Sequence, residues 1–118
     1  MEENLKLKIK KKTWSKVYYN LLLDNKIIGT GWIIKKYKYK EDAMYFEIIP
    51  EMRQKGYGYK FADMLEYQLA EREIEAYWVF IDKKNIPAIK TFDKIIDRYD
   101  EKFFQSHYVV YSKALIVY

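Results

Sequence analysis

Residues 53–59 read RQKGYGY, with Gly56 and Gly58 two apart and Arg53, Lys55 and Lys60 around them. Before them, residues 44–50 alternate like a strand, and after them residues 61–72 repeat like a helix. A strand that passes into a helix through glycines leaves backbone N–H groups bare, and bare amides at a helix N-terminus hold phosphate. No Ser, Thr or Asp stands where it could cap that helix, so its first amides need water or a ligand. The turn lacks the Gly-Lys-Ser/Thr ending that supplies a P-loop with its lysine and magnesium ligand. It also lacks the third glycine of a dinucleotide fingerprint.

Other chemistries are scarce in the chain. Without Cys there is no disulfide, zinc-thiolate site or cysteine nucleophile. A single histidine, His107, rules out a multi-histidine metal site, and no metal is expected. Ser15, Ser106 and Ser112 are the only serines, and none has the context of a nucleophile elbow. A phosphate site without metal or nucleophile points to a ligand held by its phosphate while chemistry happens elsewhere along it.

The 118 residues suffice for one domain spanning 1–118. Half are apolar and a third charged, which is globular composition. The net charge of +5 is uneven: residues 1–40 carry 11 Lys and 3 acids, and residues 41–118 carry 11 Lys/Arg and 14 acids. The basic third, with Lys and Tyr interleaved over 35–40, allows stacking on single-stranded nucleic acid. A solvated lysine face explains it more simply, so nucleic acid is not the expected partner. The start, MEENLKLKIKKK, has no apolar signal core, and no apolar run reaches the ~18–20 residues of a membrane span. A cytoplasmic protein without a membrane partner is expected.

The elements that must position the turn follow from periodicity. Leu5, Leu7 and Ile9 alternate with lysines as a first strand, and residues 11–15 form a bend. Residues 16–37 make a hairpin about the turn Asp24-Asn25-Lys26, with Gly29 and Gly31 marking a bulge or a close backbone approach. Residues 43–50 are the next strand, with Met44, Phe46 and Ile48 on one face and Tyr45, Glu47 and Ile49 on the other. Tyr57, Phe61, Leu65 and Leu69 recur every four residues as a buried helical stripe, while Lys60, Asp63, Glu66 and Glu71 fall outside it. Residues 74–81 complete a βαβ unit with parallel strands. Asn85 caps a second helix with Pro87 in its first turn, and Ile86, Ile89, Thr91 and Phe92 face inwards. That helix ends near Ile95 or Ile96. Residues 103–105 and 108–111 are short closing strands, and 114–118 an apolar tail.

Taken in order, strand, Pro50, Arg53-x-x-Gly56-x-Gly58, helix, strand and Asn85-x-x-Ala88 resemble the GNAT superfamily of acyl-CoA-dependent N-acyltransferases. The likeness runs from about residue 43 to 96. It implies an α+β fold: a mixed, mostly antiparallel sheet around a central βαβ unit whose parallel strands splay apart, with two helices. It implies that the amides of Gln54, Lys55, Gly56, Tyr57, Gly58 and Tyr59, with Arg53, hold the pyrophosphate of acetyl-CoA. The backbone of Phe46, Glu47 and Ile48 would pair with pantetheine, and Asn85 and Phe92 would contact the cofactor. The Ile48 N–H would polarise the thioester oxygen while an amine attacks directly.

Departures from the family pattern bear on catalysis. Phe92 stands where many members carry a proton-donating Tyr, and Ile95-Ile96 where a Gly-Phe pair is usual. Asp42 and Glu47 are the base candidates, each more simply explained as a solvated acid, and a base acting through water suffices. Tyr45, Tyr77, Tyr99 and Tyr108 could each supply the proton, while His107 fits a surface position. Only residues 11–15 separate the first strand from the hairpin, where members place one or two helices. The acceptor side is therefore expected to be open or completed by a second subunit, as in a homodimer. The function expected is transfer of an acetyl group from acetyl-CoA to an amine, small or on a protein. The alternatives are an acyl-CoA-binding sensor without turnover and, last, a basic nucleic-acid-binding domain.

Overall fold

The computed structural model describes residues 4–36 and 41–115. In chain order these form β1 (Leu5–Lys12), β2 (Lys16–Leu23), β3 (Lys26–Lys36), β4 (Glu41–Ile48), α1 (Tyr57–Glu71), β5 (Ala76–Asp82), α2 (Ile86–Lys94), β6 (Glu101–Gln105) and β7 (Tyr108–Ala114). Short 3-10 turns at Pro50–Met52 and Ile96–Arg98 follow β4 and α2. The strands make one seven-stranded sheet in the order β1-β2-β3-β4-β5-β7-β6. Every neighbouring pair is antiparallel except β4 and β5. This is the expected mixed α+β architecture with a central βαβ unit.

The differences from the sequence reading are local. The first strand runs on to Lys12 through an irregularity between Ile9 and Lys11, so the bend is confined to residues 13–15. There Thr13 Oγ1 both accepts from Lys16 N–H (3.0 Å) and donates to its carbonyl (3.1 Å). Tyr37, Tyr39 and the last residues of the tail lie outside the described residues. β4 starts two residues early and ends at Ile48, because Pro50 opens a 3-10 turn instead of extending the strand.

Opposed residues of an antiparallel ladder share a face, which assigns the helices. Tyr77 donates to Glu66 of α1 (2.6 Å), and Tyr111, on the same face, donates to Asp93 of α2 (2.6 Å). Both helices therefore cover one face of the sheet. Two successive crossovers of the same hand, β4-α1-β5 and β5-α2-β6, require this. Tyr57, Phe61, Leu65 and Leu69 are buried against that face, as the four-residue repeat predicts. Glu66 does not fall outside it: it is mostly buried, holding Arg98 (2.8 Å) and Lys113 (2.7 Å) as well as Tyr77. Its partners arrive from the far end of the chain, so local periodicity could not show them. No described helix is long and apolar enough to cross a membrane.

Candidate functional site

β4 and β5 are paired only at Glu41, Asp42 and Ala43, opposite Ala76, Tyr77 and Trp78. Beyond Ala43 each strand keeps its outer neighbour and the two diverge. The Ile49 N–H bonds the Ile28 carbonyl at 2.9 Å. Antiparallel hydrogen bonding alternates, so the N–H and C=O groups of Phe46 and Ile48 turn away from β3 into this gap. The gap thus exposes a strand edge ready to pair with an extended ligand.

The turn at the end of β4 is shaped by two left-handed residues, Gln54 at φ 63° and Gly56 at φ 85°. Gly56 is the N-cap of α1, and no side chain caps that end. A Cβ on Gly56 would meet nothing within 4 Å, and one on Gly58 only the Phe46 ring at 3.9 Å. Arg53 ties the turn back to the strand, its Nε donating to the Ile48 carbonyl at 2.8 Å. The far side of α1's first turn is locked to the 3-10 turn after α2. Tyr59 donates to Asp97, and Arg98 bonds Asp63 (2.7 Å) and the Tyr59 carbonyl (3.4 Å).

Between the turn and α2 lies a cleft of about 510 Å³. One wall carries Arg53, Gln54, Gly56, Gly58 and Tyr59; the other carries Ile86, Lys90, Thr91 and Lys94. A smaller hollow continues from it along Tyr45, Phe46, Glu47 and Ile48 to Asn85 and Ala88. Asn85 caps α2 by accepting from the Ala88 N–H at 3.4 Å. An anion-bearing head fits the first space, where helix amides and cations converge. A narrow extended arm fits the second, along the free strand edge.

The site residues named from sequence are only partly brought together. Arg53, Gln54, Gly56, Tyr57, Gly58 and Tyr59 line the cleft; Phe46, Glu47, Ile48 and Asn85 line the hollow. Lys55 is exposed at the turn but lines neither. Phe92 lines neither, because its ring is 0% exposed and packs on Phe46 (4.8 Å), Tyr111 (5.6 Å) and Tyr45 (5.9 Å). Asp42 is 1% exposed and faces α1, where Arg72 holds it at 3.0 Å. It sits where β4 and β5 are still paired, away from the hollow. Glu47 is exposed and accepts from the Tyr45 hydroxyl at 2.7 Å. Burial, then Glu47, pushes the Tyr45 pKa up, so that hydroxyl keeps its proton, and it also bonds Asn85. Of the other tyrosines considered, Tyr77 and Tyr99 are buried beneath the helices and Tyr108 lies on β7 against Phe80 (6.1 Å). His107 sits in the β6–β7 turn, its carbonyl accepting from Lys83 N–H at 2.8 Å.

Lys90 and Lys94 were not anticipated. With Ile86 they form a four-residue repeat along α2, which was the available signal. Ile86 was expected to face inwards, yet it is 51% exposed on the cleft wall at the start of α2.

The fold and cleft define a domain with an uncapped, glycine-bearing helix N-terminus beside a split parallel strand pair. The family model described as Acetyltransferase (GNAT) family matches residues 2–96, and the chain belongs to that family. No curated relative matches it in sequence. Among solved structures it is similar to an N-acetyltransferase, PaiA, from Thermoplasma acidophilum in complex with coenzyme A. The TM-score is 0.69 at 12% identity, covering 85% of this chain and 61% of that one. It is also similar to the Campylobacter jejuni N-acetyltransferase PseH, with TM-score 0.67, 14% identity and coverage of 88% and 71%. A Klebsiella pneumoniae protein described as an acyl-CoA N-acyltransferase gives TM-score 0.72 at 16% identity, with coverage of 91% and 77%. The chain spans only about three fifths of the length of several such structures.

Proposed function

We propose that the protein is an N-acetyltransferase that takes acetyl-CoA as donor and an amine as acceptor. The observation that carries this is a cationic cleft at an uncapped helix N-terminus that adjoins, across Ile48, Arg53, Pro87 and Thr91, a hollow along the edge of β4 that β5 leaves unpaired. Family membership and the CoA-bound relative agree with it.

The amides of Gly56, Tyr57, Gly58 and Tyr59 hold the pyrophosphate, with Arg53, Lys90 and Lys94 neutralising charge from both walls. The backbone of Phe46 pairs with the pantetheine amides. The Ile48 N–H donates to the thioester oxygen as negative charge develops there. The acceptor enters as an ammonium, and Glu47 takes its proton through a water. The free amine forms the new C–N bond as the C–S bond breaks, the Tyr45 hydroxyl gives the departing thiolate its proton, and the surplus proton on the amide nitrogen returns to the Tyr45 oxygen through water. Asp42 has no part, being held in its ion pair on the helix-covered face.

A second reading, a CoA-binding module without turnover, has one observation in its favour: Phe92 offers no hydroxyl and is fully buried. Two measurements separate the readings. Acetyl-CoA should raise the melting temperature by mass action on the folded state. A panel of polyamines, aminoglycosides, amino acids and peptides should then yield at least one acceptor that releases free thiol. Binding without thiol release from any acceptor would leave the module reading standing. No melting shift with acetyl-CoA or CoA would sink both.

A further inference from the structure

β1 is an outer strand of the sheet, paired only with β2. It carries five lysines, Lys6, Lys8, Lys10, Lys11 and Lys12, and all are exposed. The strand register sorts them. Lys6, Lys8 and Lys11 stand opposite Leu22, Asn20 and Tyr18. Those three alternate along β2 with Tyr19 and Leu21, which are buried in the core, so they belong to the face that carries no helix. The irregularity between Ile9 and Lys11 takes up one residue and so returns Lys11 to the face of Lys6 and Lys8. The result is a single row of ammonium groups along the sheet edge, with the stems of Lys6 and Lys8 rooted about 7 Å apart.

The row leads to the turn between β1 and β2, where Trp14 is 79% exposed. That turn is held in place: Thr13 N–H bonds the Lys16 carbonyl (2.8 Å), and the Ser15 carbonyl accepts from Lys35 N–H of β3 (2.8 Å). Lys16 follows, its Nζ over the rings of Tyr18 (4.7 Å) and Trp32 (4.6 Å). Among the described residues, no acid forms an ion pair with any lysine of β1. Asp24 is the only acid of residues 4–36, and it lies in the β2–β3 turn, at the end of the hairpin away from Trp14. Lysines on an edge strand deter pairing with another sheet, and that accounts for their number. It accounts neither for the shared face nor for a large ring held out in water at the end of the row.

We propose that this edge binds a single-stranded nucleic acid. Phosphates meet Lys6, Lys8 and Lys11 in turn, on the scale at which they succeed one another in an extended, unstacked strand. At the end of the row a base lies on the Trp14 ring, with Lys16 beside it. Contacts of this kind reach backbone and ring rather than base edges, so sequence preference is weak. An anionic membrane surface fits less well, because an interfacial anchor buries an apolar face. Here one ring stands among lysines, and Ile9, also exposed, faces the other side of the sheet. An acidic polypeptide would use the lysines and leave the ring without a flat partner. Three strand spacings, about 14 Å, separate β1 from β4, so an occupied edge leaves Tyr45 and Glu47 clear. The proposal does not depend on acyl transfer.

The experiment titrates the full chain into a fluorescent oligothymidylate of about 12 nucleotides and follows anisotropy. Excess CoA is present throughout, so that the cationic cleft beside α1 is not what binds the strand. The wild type should bind, with log affinity falling against log salt at a slope of about −2, the value for three phosphate contacts. Between about 50 and 200 mM salt that is a loss of roughly 20-fold. Lys6→Gln/Lys8→Gln/Lys11→Gln should remove most of the slope. Trp14→Ala should weaken binding about tenfold at unchanged slope, and Trp14→Phe should keep most of the affinity. All these side chains are exposed, so melting curves should match the wild type; the wild-type titration decides the question even if a variant fails to fold. No binding at near-millimolar protein overturns the proposal, and so does binding that CoA abolishes. Trp14→Ala binding as tightly as the wild type has the same consequence. So has displacement of the oligonucleotide by an equal charge of polyglutamate, or of phosphatidylglycerol vesicles, as readily as by unlabelled oligonucleotide.

Discussion

Gly29-x-Gly31 and Gly56-x-Gly58 share a spacing and share nothing else. At the first pair an added Cβ would lie 2.8 Å from the carbonyl oxygens of Glu47 and Tyr45 and 3.1–3.2 Å from the Phe61 ring. Those glycines let α1 settle onto β3 and β4. At the second pair an added Cβ would enter open space at Gly56 and touch only the Phe46 ring edge at Gly58. At one pair the protein fills the room a side chain would need; at the other the room is open. A glycine pattern thus acquires a function only when the neighbouring space is known.

The largest effect should come from the packed pair. Gly31→Ala should cost about 1–3 kcal/mol in denaturant unfolding, because a carbonyl oxygen cannot give way as a flexible side chain can. The double change to Val should leave no folded protein by circular dichroism. Gly58→Glu should do the reverse. Its backbone is helical, so the unliganded melting temperature should hold, while CoA affinity falls on the order of 100-fold. Gly56→Glu is the poorer test, since φ 85° strains any side chain there. If Gly58→Glu unfolds the protein, or Gly31→Ala leaves stability intact and weakens CoA, the contrast between the pairs fails.

The same contrast explains what the sequence made legible. The turn, the uncapped helix and the Asn85 cap were visible because each is written in a few consecutive residues with backbone consequences. The splay of β4 from β5 came from the family resemblance. What stayed hidden is tertiary. Glu66 and Asp42 look like surface acids until Arg98, Lys113 and Arg72 arrive from elsewhere in the chain. Lys90 and Lys94 were legible in principle, but only once α2 was known to face the turn.

The two base candidates extend the comparison to acids. Glu47→Gln should lower kcat roughly 10- to 100-fold with KM for acetyl-CoA little changed, by removing a proton acceptor beside the hollow. Asp42→Asn should leave kcat of the folded enzyme near wild type and lower stability by about 1–3 kcal/mol, since it leaves Arg72 without its charge partner. An exchange of these outcomes would return Asp42 to the site. Lys90→Ala/Lys94→Ala should be milder, weakening CoA by roughly tenfold, with the loss shrinking as salt rises.

The smallest effect concerns how α2, the second wall of the cleft, is held down. Asp93 accepts from Tyr111 (2.6 Å) and Lys102 (2.8 Å), joining the helix to β7 and β6. Burial alone would raise its pKa, but the bonds from Lys102 and Tyr111 outweigh burial and hold it below the usual value. A carboxyl whose folded pKa is depressed adds stability that is present above its unfolded pKa, about 3.9, and lost as pH falls through the folded value. Asp93→Asn should therefore lower the melting temperature slightly near neutrality. The gap from wild type should then close as the pH falls through the depressed folded pKa, where the wild-type carboxylate takes up its proton. A gap that stays constant down to the acid limb would mean that Asp93 anchors α2 by shape and hydrogen bonding alone, without its charge.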